Sequence, residues 1–157
     1  MPILSAHASS AETALKAALA AIMLAGAMLG TPAYAELPPM QTQGGTEYVS
    51  GGFGLDESTA FKQAMPQFPL AMTFASQVDG KAAYAADVQV VIRNENDANV
   101  LNVASEGPFL LVKLDPGNYR VFATYDNQTQ SRKITIKPAG GSARLTFEWN
   151  RPASGPD

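Results

Sequence analysis

From Leu70 to Trp149 apolar residues recur at every second position, in short runs separated by turn-forming residues, and few folds can accommodate that pattern. Successive side chains of a strand point to opposite faces, so an alternating run is a strand with one wet and one buried face. Leu70, Met72 and Phe74 form the first run; Val88, Val90 and Ile92 the second; Leu101 and Val103 the third; Leu110, Val112 and Leu114 the fourth. Tyr119, Val121, Ala123 and Tyr125 make a fifth, Ile134 and Ile136 a sixth, and Leu145, Phe147 and Trp149 a seventh. Asp115-Pro116-Gly117 is a turn tripeptide, Asp126-Asn127 suits a two-residue hairpin, and Gln77-Val78-Asp79-Gly80 reads as a loop. Seven short strands with frequent turn signals predict an all-β fold, a seven-stranded antiparallel β-sandwich of the Ig-like or prealbumin-like kind.

The segment before the strands has a different period. Ala60, Phe61, Ala64 and Met65 fall on one helical face, with Asp56 placed to cap the helix and Pro66 placed to end it. One short N-terminal helix packed on a sheet is therefore expected. The glycines of Gly51-Gly52-Phe53-Gly54 invite comparison with a phosphate-binding loop. The comparison fails, because Glu57 occupies the place of the third glycine and, with Asp56, would repel a phosphate.

The first 35 residues have another purpose. Lys16 precedes an uncharged run of 13 residues, Ala17 to Leu29, and Gly30-Thr31-Pro32 then breaks any helix. A membrane span needs about 20 apolar residues, so this run is an export signal and not a stable anchor. Ala33 and Ala35 present small side chains at the two positions a signal peptidase reads, which places the cut before Glu36. The expected organisation is a signal peptide over 1–35, a flexible Pro/Gln/Gly leader over 36–47, the sandwich with its helix over 48–150, and a disordered tail over 151–157. The expected destination is periplasmic or secreted.

Cleavage after Ala35 leaves 122 of the 157 residues and removes His7, the only histidine; there is no cysteine. With Lys16 and Glu12 also gone, ten Lys and Arg face 13 Asp and Glu, still a net charge of −3. A chain without His or Cys has no Ser-His or Cys-His nucleophile and no imidazole base. No cofactor and no metal are expected, and catalysis is not. Asn94-Glu95-Asn96-Asp97-Ala98-Asn99 is dense in oxygen, but Asn99 and Ser105 stand where an EF-hand needs Gly and Glu, so a solvated hairpin loop is expected. Arg132, Lys133 and Lys137 on an acidic chain read as a solubilising or edge-protecting group, with no nucleic-acid partner.

The run Glu106 to Tyr125, which includes Leu114-Asp115-Pro116-Gly117-Asn118-Tyr119-Arg120-Val121-Phe122-Ala123, resembles the Leu-x-Pro-Gly-x-Tyr-x-Val-x-Ala signature of carboxypeptidase regulatory-like domains. Ala86 to Ile92 is similar to an early strand of that family, and the resemblance covers about Leu70 to Trp149. It implies a prealbumin-like (transthyretin-like) sandwich acting as an accessory module without peptidase activity, since in the family the zinc and catalytic groups lie in a separate domain. Two functions are compatible with these readings: docking of an envelope protein through a sheet face or edge, or glycan binding through exposed aromatics. Tyr48, Tyr84, Phe109 and Phe122 are the aromatics concerned, with Tyr84 and Phe122 the candidate ligand face. The plainer expectation for the four is a second small cluster beneath the N-terminal segment.

Overall fold

The computed structural model describes residues 36–151, so Ala33 and Ala35 of the cleavage site lie outside the described residues, as does the tail beyond 151. Ten strands occur among the described residues, against the seven that alternation reveals. In chain order they are β1 (Gln41–Gln43), β2 (Thr46–Gly51), β3 (Leu70–Val78), β4 (Lys81–Tyr84), β5 (Gln89–Arg93), β6 (Asn99–Ala104), β7 (Phe109–Val112), β8 (Gly117–Tyr125), β9 (Gln128–Ile136) and β10 (Ala143–Arg151). Between β2 and β3 lies helix α1 (Leu55–Ala64), continued by a 3₁₀ turn, Met65–Gln67. The first sheet has the order β1-β2-β7-β3-β10, with β4 also paired to β3; the second has the order β6-β5-β8-β9.

All seven alternating runs are strands, and each turns the expected residues inward. Leu70, Met72 and Phe74 meet Val90, Ile92, Val121 and Ala123 across the sandwich, with Phe147 and Trp149 closing one side. The hairpin at Asp126-Asn127 forms as expected: both residues have positive φ, 51° and 59°, which matches the twist of the flanking strands.

Of the three additional strands, β2 escapes a search for alternation because its buried residues, Val49, Ser50 and Gly51, are consecutive, and β1 and β4 escape it because they bury little. β1 is Gln-Thr-Gln and β4 is exposed along its length. Both belong to two-residue hairpins with positive φ at each turn residue, Gly44-Gly45 for β1–β2 and Asp79-Gly80 for β3–β4. The expected leader therefore folds from Gln41 onward.

A second correction concerns strand direction. β10 pairs with β3 in parallel over its whole length, Ala143 opposite Leu70 through Arg151 opposite Val78. The other side of β3 is already occupied, first by β7 and then by β4. Parallel neighbours need a long crossover, and here the entire second sheet supplies it.

Both open sides of the sandwich are stitched by side chains. The Gln43 carboxamide donates from Nε2 to the Asn102 carbonyl at 2.5 Å and accepts the Asn102 N–H on Oε1 at 2.6 Å. It thereby imitates one residue of an added strand along β6. On the opposite side Gln130 donates to the Glu148 carbonyl, Trp149 Nε1 donates to the Gln128 carbonyl, and the Arg132 guanidinium lies 5.3 Å from the Phe147 ring centroid. Such groups make an edge a poor template for further strand pairing.

The first sheet is covered on its outer face too. Val49, Phe61, Ala64, Met65, Phe68, Ala71, Phe109 and Leu111 form a second core between it and α1. That is why all four residues of β7 are buried. The face predicted for α1, Ala60, Phe61, Ala64 and Met65, is the buried one. Asp56, however, does not cap the helix: the N-cap is Gly54, which offers no side-chain bond, and Asp56 sits in the first turn.

Candidate interaction site

The glycine-rich passage from β2 into α1 is shaped by close packing. Gly52 lies so near the Phe109 ring that a Cβ there would come within 2.2 Å of it, and Gly107 lies against the Gly51 backbone. The Gly52 N–H donates to Glu57 Oε1 at 2.7 Å, which ties the first turn of α1 back onto the end of β2. These contacts account for Gly51 and Gly52 without any phosphate, and at Gly54 it is the φ of 82° that favours glycine. Because the bond is charge-assisted and partly buried, Glu57→Ala is expected to cost about 1–2 kcal/mol. The urea midpoint measures this loss, with Asp56→Ala, at an exposed position, expected to cost less than half as much.

Gly52 and Gly54, with φ of 102° and 82°, turn the chain here in backbone conformations that favour glycine. Phe53 is 60% exposed, Leu55 81% and Tyr84 51%. The Tyr84 ring lies tilted against Phe109 at 5.5 Å, and Phe109 stacks on the buried Phe61 at 5.7 Å. Tyr84 thus stands on a packed aromatic base, and Phe53 and Leu55 follow Gly52, which itself abuts the Phe109 ring. Val78, 42% exposed, lies in the same hairpin as Tyr84 but, three positions from Ala75, on the other face of the sheet. Large apolar groups grouped on a surface mark interaction sites more often than the same groups scattered singly.

The aromatics singled out from the sequence separate. Phe109 is buried in the second core, as the cluster reading expects, and Tyr48 packs partly buried against the first core. Tyr84 stands opposite Ala75 on the helix-bearing outer face of the first sheet. Phe122 stands opposite Val91 on the outer face of the second sheet, half-buried, with the Arg93 guanidinium 5.1 Å from its centroid. Tyr84 and Phe122 therefore lie on opposite sides of the sandwich and make no joint stacking platform. Glu36, the residue after the expected cut, is exposed.

The polar constellations are likewise resolved. Asn94 Oδ1 accepts from the N–H groups of Asn96 and Ala98 at 3.0 and 3.1 Å, and Asp97 meets Arg93 at 3.6 Å. The oxygen-rich loop thus satisfies itself as an Asx turn. No group of three His, Cys, Asp or Glu side chains gathers among the described residues. Arg132 and Lys133, adjacent in sequence, point to opposite faces of β9, Arg132 over the Phe147 edge and Lys133 outward. At the Pro-Gly turn, Tyr119 donates its hydroxyl to the Asp115 carbonyl at 2.7 Å. Burial raises the pKa of that phenol above 10.0, with Asp115 and Glu95 adding to the effect.

Neither the comparison with protein-family models nor that with curated proteins finds a match. Among solved structures, S.CueP aligns over 88% of this chain and 97% of its own at 14% sequence identity and a TM-score of 0.37. At that distance the likeness does not extend to function.

Proposed function

We propose that this chain is a non-catalytic, exported module that docks a protein of the cell envelope through the surface formed by Phe53, Leu55 and Tyr84. The observation that carries the reading is the exposure of these three large apolar side chains, with the Tyr84 ring packed against Phe109. A surface that is apolar, rigid and already ordered loses little conformational freedom on binding. The absence of His and Cys after removal of the signal supports a binding role over a catalytic one. In this reading the two-sheet fold is prealbumin-like and the Pro116-Gly117-x-Tyr119 segment is the hallmark of a carboxypeptidase regulatory-like domain, supported by the bond that locks Tyr119 to Asp115.

The test is a comparative pull-down from envelope fractions with the wild-type chain and with Phe53→Ser/Leu55→Ser. A partner retained by the first and lost by the second is the expected result, with the far-UV spectrum and urea midpoint unchanged because both side chains face solvent. Partners indifferent to the substitutions, or a glycan-array signal that depends on Tyr84, would overturn the proposal.

A further inference from the structure

On the outer face of the second sheet the register brings three cations into one line. Arg93 of β5 stands directly opposite Arg120 of β8, and Arg120 stands directly opposite Lys133 of β9. Neighbouring strands lie about 4.8 Å apart, so the row spans about 10 Å across a face that no element of the described residues covers. Like charges placed opposite each other on one face destabilise a sheet, and a chain with a net charge of −3 has acids to spare for neutralising them. Only one is used for that purpose, Asp97 beside Arg93. Arg93 is held in place by Asp97, by the Phe122 ring and by a 3.0 Å bond from Nε to Asn99 Oδ1. Arg120 and Lys133 are exposed and make no ion pair with any described residue.

Beside the row is a cleft of about 530 Å³. Asn118, Arg120, Lys133 and Thr135 form its floor, and the β5–β6 loop brings Glu95 and Asp97 to its wall. Thr135 donates to Asn118 Oδ1 at 2.7 Å while Asn118 donates to Glu95, which fixes the carboxylate of the wall. Cations on the floor would take carboxylates, Arg by its planar fork and Lys as a point charge. Each wall carboxylate has one partner in the fold, Asn118 for Glu95 and Arg93 for Asp97, and a second oxygen that can accept a hydroxyl donor. A molecule that fits both must carry anionic groups and hydroxyls together. A polyphosphate or nucleic-acid backbone, with no comparable density of hydroxyl donors, meets repulsion from Glu95 and Asp97.

We propose that this face binds an acidic polysaccharide of the uronate type, with carboxylates on Arg120 and Lys133, hydroxyls toward Glu95 and Asp97, and Arg93 extending the row. The site lies on the sheet opposite to the Phe53–Leu55–Tyr84 surface and stands independently of it.

Affinity electrophoresis of the purified full chain through gels containing polygalacturonate tests the proposal, with dextran and inorganic polyphosphate gels run in parallel. Retardation by polygalacturonate alone is expected, weakening as salt is raised. Arg120→Gln/Lys133→Gln should weaken it at least tenfold while leaving the urea midpoint unchanged or higher, because repulsion within the row is relieved. Phe53→Ser/Leu55→Ser should leave it intact. No retardation by polygalacturonate, equal retardation by dextran or by polyphosphate, or undiminished binding by the double variant would each overturn the assignment.

Discussion

Gly107→Ala is expected to lower stability by about 3 kcal/mol or more, because the new methyl group has nowhere to go. An ideal Cβ on Gly107 would lie 2.3 Å from the Gly51 carbonyl oxygen, 2.4 Å from its carbon and 2.8 Å from its Cα. All three are backbone atoms of the end of β2, so no rotamer change can clear the space. Relief requires β2 and the chain entering β7 to separate, and Gly51 pairs with Phe109 just beyond the contact. Separation there would also disturb Ser50, whose hydroxyl donates to the Phe109 carbonyl and accepts the Glu106 N–H. For a domain of this size the expected fall in Tm is roughly 10–15 °C. Gly52→Ala provides a comparison: its Cβ would meet only the Phe109 ring, at 2.2 Å, but at a φ of 102° that itself disfavours alanine. Urea unfolding of both variants, followed by far-UV circular dichroism, decides the matter. A Gly107→Ala midpoint close to wild type would mean that the β2–β7 junction is looser than these distances require.

The same junction shows where sequence patterns stop being informative. Alternation reveals a strand when one face is wet, which is why β3, β5, β6, β8, β9 and β10 are legible from Leu70, Val90, Leu101, Val121, Ile134 and Phe147. It reveals only half of β7, since the helix buries the other face and Phe109 and Leu111 become core. It misses β1 and β4, which bury almost nothing, although Gly44-Gly45 and Asp79-Gly80 are hairpin signals in their own right. The glycines at 51, 52 and 54 stand out in sequence, but the purpose of Gly52 depends on Phe109, more than 50 positions away. Phe53 and Leu55 draw no attention, because an apolar residue before a helix is ordinarily core. The cation row is the most hidden feature. Arg132 and Lys133 are neighbours in sequence and part company in the fold, whereas Arg93, Arg120 and Lys133 are distant in sequence and brought into line by register alone.

Trp149→Ala is expected to cost about 3–5 kcal/mol, in the upper range for loss of a buried ring. Trp149 is 2% exposed and makes ring contacts with Phe147 at 6.0 Å, Phe74 at 6.4 Å and Tyr125 at 5.5 Å. Phe74 belongs to β3 and Tyr125 to β8, so this one side chain links an edge strand to both sheets. The position matters because β10 is paired on one side only, in the parallel arrangement that is slightly weaker per residue. Its attachment therefore depends on inward side chains more than on its ladder. Trp149→Phe separates the ring from the indole N–H: it keeps most of the packing and loses the 3.0 Å bond to the Gln128 carbonyl, with an expected cost of about 1–2 kcal/mol. Since Trp149 is the only tryptophan, both variants are followed by far-UV circular dichroism, not fluorescence. Amide exchange should show β10 losing protection ahead of β3 and β7 in Trp149→Phe, as local opening of a weakly held edge requires. If the Ala variant costs less than about 1.5 kcal/mol, or β10 and β7 lose protection together, the second sheet and the ladder to β3 hold this strand without the indole.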